Sequence, residues 1–228
     1  MSARPDRPTQ QVLLLLLGLV VLVVALTDQH LAYVRAGFQP FLVAAGVLLV
    51  AVGGLGLLRD RGRRADHPGP GVGWLLAAPV AVLVVVAPPA LGAFSVDRLA
   101  ATPVAVTTAP AAGIGPDDAG ADHRTMTLLQ FTIWSQADPS ALAERQVRLV
   151  GFAVPRDDGG WDLARFSINC CAADATALRV QVAGDRPGPA ADQWVQVVGT
   201  AGRREAGGPP VLRADVVSEV PAPAEPYE

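Results

Sequence analysis

The chain has little of what catalytic and nucleotide-binding proteins usually display. Among 228 residues there are two cysteines, the neighbours Cys170 and Cys171, and three histidines, the last of them His123. Beyond His123 no imidazole is available as a base, so a cysteine nucleophile there lacks its proton acceptor. No CxxC, HExxH or glycine-rich phosphate loop occurs. Net charge is −3, which gives no basic surface for nucleic acid, and no nucleic-acid partner is expected. Aromatic residues are only 5% and charged residues 17%, against 51% hydrophobic. That balance is too apolar for an ordinary soluble domain and too unevenly spread for a pure helical bundle.

The apolar residues concentrate in three runs. "VLLLLLGLVVLVVAL" (12–26) carries no charge but covers only ~22 Å, short of a ~30 Å hydrocarbon core, so a span over about 9–28 requires its flanks. A signal peptide is the rival reading, because Arg4 and Arg7 form a basic start; no clear A-x-A cleavage site follows. "FQPFLVAAGVLLVAVGGLGLL" (38–58) is long enough to cross, and Gly46, Gly53, Gly54 and Gly56 could admit a close neighbouring helix. "WLLAAPVAVLVVVAPPALGAF" (74–94) is the third expected span, kinked at Pro79 and ended by Pro88-Pro89. Four arginines among residues 59–64 assign that loop to the cytoplasm. A cytoplasmic N-terminus and three crossings then put the C-terminal domain outside, in a multi-pass protein of the cell membrane. Asp28, His30 and Arg35 in the short outer loop read as ion-path groups or as interfacial residues.

Residues 1–94 therefore read as a transmembrane region. Residues 95–124, rich in Ala, Pro, Thr and Gly, read as a disordered linker, and 125–228 as an extracytoplasmic β-domain. "DPSALAERQ" has Asp138 as N-cap and Pro139 at the first helical position. Five runs alternate with period two: 146–154, 161–171, 177–183, 193–202 and 211–220. In the last, Leu212, Ala214, Val216 and Val220 are assigned to one face. The expected fold is three transmembrane helices followed by an OB-like five-stranded β-barrel, with a two-sheet sandwich as the alternative.

Strand alternation sorts the cysteines. Phe166, Ile168 and Cys170 fall on the core face, Cys171 on the other. A bridge between neighbours is awkward, since adjacent Cα atoms sit ~3.8 Å apart and ordinary disulfides need more, yet it stays an alternative because the expected compartment is oxidising and the chain has no other cysteine to pair with. Cys170, Cys171 and Asp174 are candidate ligands for a thiophilic metal such as zinc, with further ligands from a partner. Against this, a closed zinc site needs four ligands, and a strand would turn the thiols apart. Asp157-Asp158 in "RDDGG" reads as a turn, and no acid/base pair can be assembled, so no enzymatic activity is expected.

The segments "GFAV", "RFSINCCAADA", "QWVQVVGT" and "PAPAEPYE" resemble the small permease-subunit family of bacterial membrane proteins, whose members are paired with a larger multi-span permease. The resemblance is strongest at Arg165, Phe166, Ile168, Cys170, Cys171, Ala173 and Asp174, then at Gly151-Phe152, Trp194-Val195, Gly199 and Pro226-Tyr227. It implies a role as transport accessory and no catalytic residues. The Ala/Pro-rich tether is longer than the family pattern.

Overall fold

A computed structural model describes residues 7–60, 89–99, 114, 118–184, 187–205 and 207–228. The chain divides into two compact units, residues 1–90 and 91–228.

In the first unit, α1 (Arg7–Leu26) and α2 (Gln39–Asp60) pack against each other. Both are leucine- and valine-rich and carry charge only at their ends, Arg7 on α1 and Arg59 and Asp60 on α2. Short 3-10 turns at Asp28–Ala32 and Ala36–Phe38 join them. Pro40 sits in the first turn of α2, where its missing N–H costs nothing. Gln39 reaches back to donate to the Ala25 carbonyl at 2.9 Å, latching the two helix ends. Glycine makes the close approach possible: a Cβ on Gly53 would lie 2.7 Å from the Gln11 carbonyl oxygen, and one on Gly18 would lie 2.8 Å from Val50 N. Gly46 and Gly56 also face α1, but Gly54 does not.

The three-span expectation is corrected here. Among the described residues one helix, Ala36–Arg59, is long and apolar enough to cross a membrane. The apolar part of α1, Gln10–Leu26, is shorter, about 25 Å against a ~30 Å core. Residues 74–88 of the third expected span lie outside the described residues, and 93–94 belong to a different helix.

The second unit holds α3 (Ala93–Leu99), β1 (Arg124–Thr125), α4 (Leu128–Ala137), β2 (Gln146–Pro155), β3 (Trp161–Ser167), β4 (Thr176–Ala183), β5 (Trp194–Ala201) and β6 (Val211–Glu219). The sheet is six-stranded and mixed, in the order β1-β2-β3-β4-β6-β5, with β2 also pairing β5. This replaces the expected five-stranded OB-like barrel, and it is not a two-sheet sandwich. Arg124–Thr125, which straddle the expected junction of tether and β-domain, pair parallel with Val147–Arg148 as the sixth strand. β4 and β6 also run parallel. Residues 95–99, the start of the expected tether, continue α3. Val96 is fully buried, Ala93 N–H donates to Asp192 at 2.5 Å, and Leu91 N–H donates to the Tyr227 hydroxyl at 3.1 Å.

Side chains alternate as a half-buried sheet requires. Leu178, Val180 and Val182 on β4 are buried, and Arg179 and Gln181 between them are not. On β6 the alternation breaks. A bulge lies where Val198 pairs Val216 but Gly199 pairs Ala214, leaving Asp215 unmatched. Val216 therefore turns outward, 49% exposed, while Val217 packs on the core. Gly199 permits the bulge, since a Cβ there would collide with the Arg213 carbonyl.

α4 rests on this core through Leu128, Phe131 and Trp134. Thr127 and Gln130 form a complete capping box at its start.

Candidate functional site

β3 leaves the sheet at Ser167, four residues before the alternating run was read to end. The chain then bends through Asn169 and Cys170 into a 3-10 turn over Ala172–Asp174, with Cys171 extended at its N-cap position. The expectation that strand geometry turns the thiols apart is thereby overturned. Cys170 is half-buried rather than a core residue, and its sulfur lies 3.5 Å from that of Cys171.

Asp174 organises the turn. Its Oδ1 accepts from Asn169 N–H and its Oδ2 from Cys170 N–H, each at 2.9 Å. Its own N–H donates to the Cys171 carbonyl at 3.0 Å. The ligand atoms of Cys170, Cys171 and Asp174 lie within 4.8 Å of one another. The hydrogen bond to the Asp174 carboxylate, and then that with Cys171, push the Cys170 thiol up to about 12, while the same Cys170 bond holds Asp174 below its usual range. Cys170 thus keeps its proton and is a poor nucleophile. Two soft donors and one hard donor converge without a base.

The other residues singled out in the sequence around this turn do structural work. Arg165 donates to the carbonyls of Pro226 at 3.1 Å and Glu225 at 2.8 Å, and lies over the Trp194 ring. Burial pulls its guanidinium down from its ordinary value. Phe166 pairs with Tyr227, and Ile168 N–H donates to the Glu228 carbonyl at 3.1 Å. The Glu228 carboxylate accepts from Leu128 and Leu129 N–H, each at 2.9 Å, so it satisfies donors that the first turn of α4 would otherwise leave orphaned. Burial raises the pKa of Glu228 above its usual value. Ala173 lies within the 3-10 turn. The sequence reading linked Arg165 with Pro226-Tyr227 only through resemblance; the structure brings them into contact.

The remaining expected residues stay apart from this turn. His30 is buried in the α1–α2 connection, 2.6 Å from the Thr27 carbonyl, whereas Asp28 and Arg35 are exposed. Asp158 caps the "RDDGG" turn by accepting from Gly160 N–H at 2.9 Å. A buried carboxylate that the sequence reading missed is Asp162. It is 2% exposed and receives Arg179 at 2.7 Å, and Arg179 also binds Asp97 at 2.8 Å. Its only sequence signal is a charge between apolar neighbours on β3.

The class defined so far is an apolar helical pair joined in one chain to a β-domain that carries a vicinal-cysteine turn. That domain is shared: residues 131–228 match the DUF1980 C-terminal domain, an uncharacterised family. The match covers the motif turn and the tail that braces it. No curated protein and no solved structure matches the chain.

Proposed function

We propose that the chain is a non-enzymatic, membrane-anchored accessory subunit of a transport complex. Its partner is a larger multi-span permease, and its β-domain lies outside the cytoplasm, where it gates, senses or presents solute. The observation that carries this reading is the division of the chain between an apolar helix of spanning length and a separate compact β-domain. The surfaces of α1 and α2 support it. Phe41 (70% exposed) and Leu48 (64%) are residues that lipid or partner helices accept and water does not. Neither helix carries an internal charged side chain that could relay an ion, so a pore is assigned to the partner.

The test is affinity purification of the tagged chain from cross-linked, detergent-solubilised membranes. A multi-span protein is expected in the eluate, and deletion of residues 91–228 should impair transport by that partner while the anchor stays inserted. Recovery of no multi-span protein overturns the reading. A second reading, a stand-alone envelope protein handling a metal or thiol couple at Cys170 and Cys171, is favoured by the 3.5 Å separation of the two sulfurs. It requires no partner, so the same purification separates the two.

A further inference from the structure

We propose that Cys170, Cys171 and Asp174 bind a thiophilic divalent cation of the zinc type through two thiolates and one carboxylate, with the fourth position open to solvent or to a donor from another molecule. A tetrahedral ion ~2.3 Å from each sulfur sets the sulfurs ~3.8 Å apart. They stand at 3.5 Å, so a small rotation of either side chain seats the ion. A linear two-sulfur site needs the ion midway, with roughly twice a metal–sulfur bond, over 4 Å, between the sulfurs. The observed spacing therefore favours the tetrahedral cation.

The carboxylate is fixed before any ion arrives. Each Asp174 oxygen already accepts one backbone N–H from the segment that carries the thiols. A second lone pair remains on each oxygen, and the one that accepts the Cys170 thiol is freed when the ion displaces that proton. The residues at positions 170, 171 and 174 can converge because the chain has left the strand and entered a 3-10 turn. Binding displaces the two thiol protons to solvent, and no electron transfer is required. Three protein donors leave the site open, as suits an ion that is exchanged and not one that locks a fold. The site thus supplies a solute for the transport reading and rests on that reading for its role; binding itself is measured on this chain alone.

The experiment uses the full chain in detergent, reduced and then handled anaerobically, with Co(II) as the spectroscopic probe and Zn(II) as competitor. One Co(II) per chain is expected, with thiolate-to-cobalt charge-transfer absorption and the d–d intensity of a tetrahedral site, both removed by Zn(II). Cys170→Ser and Asp174→Asn should each weaken Zn(II) binding by about tenfold or more. Should Asp174→Asn loosen the turn, Cys171→Ser carries the test, because it leaves the Asp174 bonds to Asn169 and Cys170 in place. The proposal is overturned by a wild-type chain with two titratable thiols and no charge-transfer band, or by a Co(II) spectrum that survives Cys171→Ser. Failure here leaves the membrane purification result standing, and failure of the purification leaves the binding isotherm standing.

Discussion

At the scale of single residues, Glu228 and Asp174 are carboxylates with opposite linkage to pH. Glu228 side-chain exposure is 4%, with two backbone donors and Arg165 at 3.6 Å. Glu228→Gln should cost about 1–3 kcal/mol in denaturant unfolding at acid pH, because one of the two oxygens that accept the Leu128 and Leu129 N–H groups is lost from a buried site. Since burial raises the Glu228 pKa, its contribution is full below 4.5 and fades as pH rises through the folded value. The stability gap between wild type and Glu228→Gln should accordingly narrow with rising pH above 4.5. Asp174 is depressed, so its contribution is present above 3.8 and lost as pH falls through its folded value. The gap between wild type and Asp174→Asn should therefore close in acid. Of these residues, the sequence displays Cys170, Cys171 and Asp174 openly, because they are near neighbours. Glu228 carries no such signal, since its partners in α4 lie 99 and 100 positions earlier.

At the scale of elements, α4 and β6 show what local pattern can and cannot convey. The T-x-x-Q spacing of Thr127 and Gln130 announces a helix start, yet the apolar residues that follow have no strong helical face and were passed over. Thr127→Ala should lower stability by about 0.5–2 kcal/mol in thermal or chemical melts, as removal of a side-chain cap does elsewhere. Buried positions alternate on β4, on β5 and in the first half of β2, which made those strands legible, and apart from the end of β3 the observed limits of the five longer strands fall within a residue of the runs read from the sequence. The end of β3 was not legible, because Ile168 and Cys170 continue the alternation after pairing has stopped. The bulge on β6 was equally hidden: it depends on Gly199, on a different strand. Gly199→Val should destabilise the sheet by about 1–3 kcal/mol, since its side chain meets the Arg213 backbone. Denaturant unfolding measures this directly.

At the scale of the whole molecule, the chain divides between residues 90 and 91, and among the described residues hydropathy overstated the number of helices long enough to span. A 17-residue apolar helix and a 24-residue one look alike to a composition window and differ against the thickness of a bilayer. Fusing an alkaline-phosphatase reporter after a flexible spacer at the C-terminus should give an active enzyme on the outer side of the membrane, as the proposed topology requires. Activity found only for a cytosolic reporter, such as a β-galactosidase fusion, would reverse the orientation.

The fastening of residues 91–99 has a mechanical corollary. Leu91 is tied to Tyr227, Ala93 to Asp192, and Asp97 through Arg179 to the buried Asp162. Tension arriving from upstream meets no slack in this stretch. It passes as shear into the middle strands and into the tail that braces the cysteine turn, so that segment serves as a handle rather than a spring.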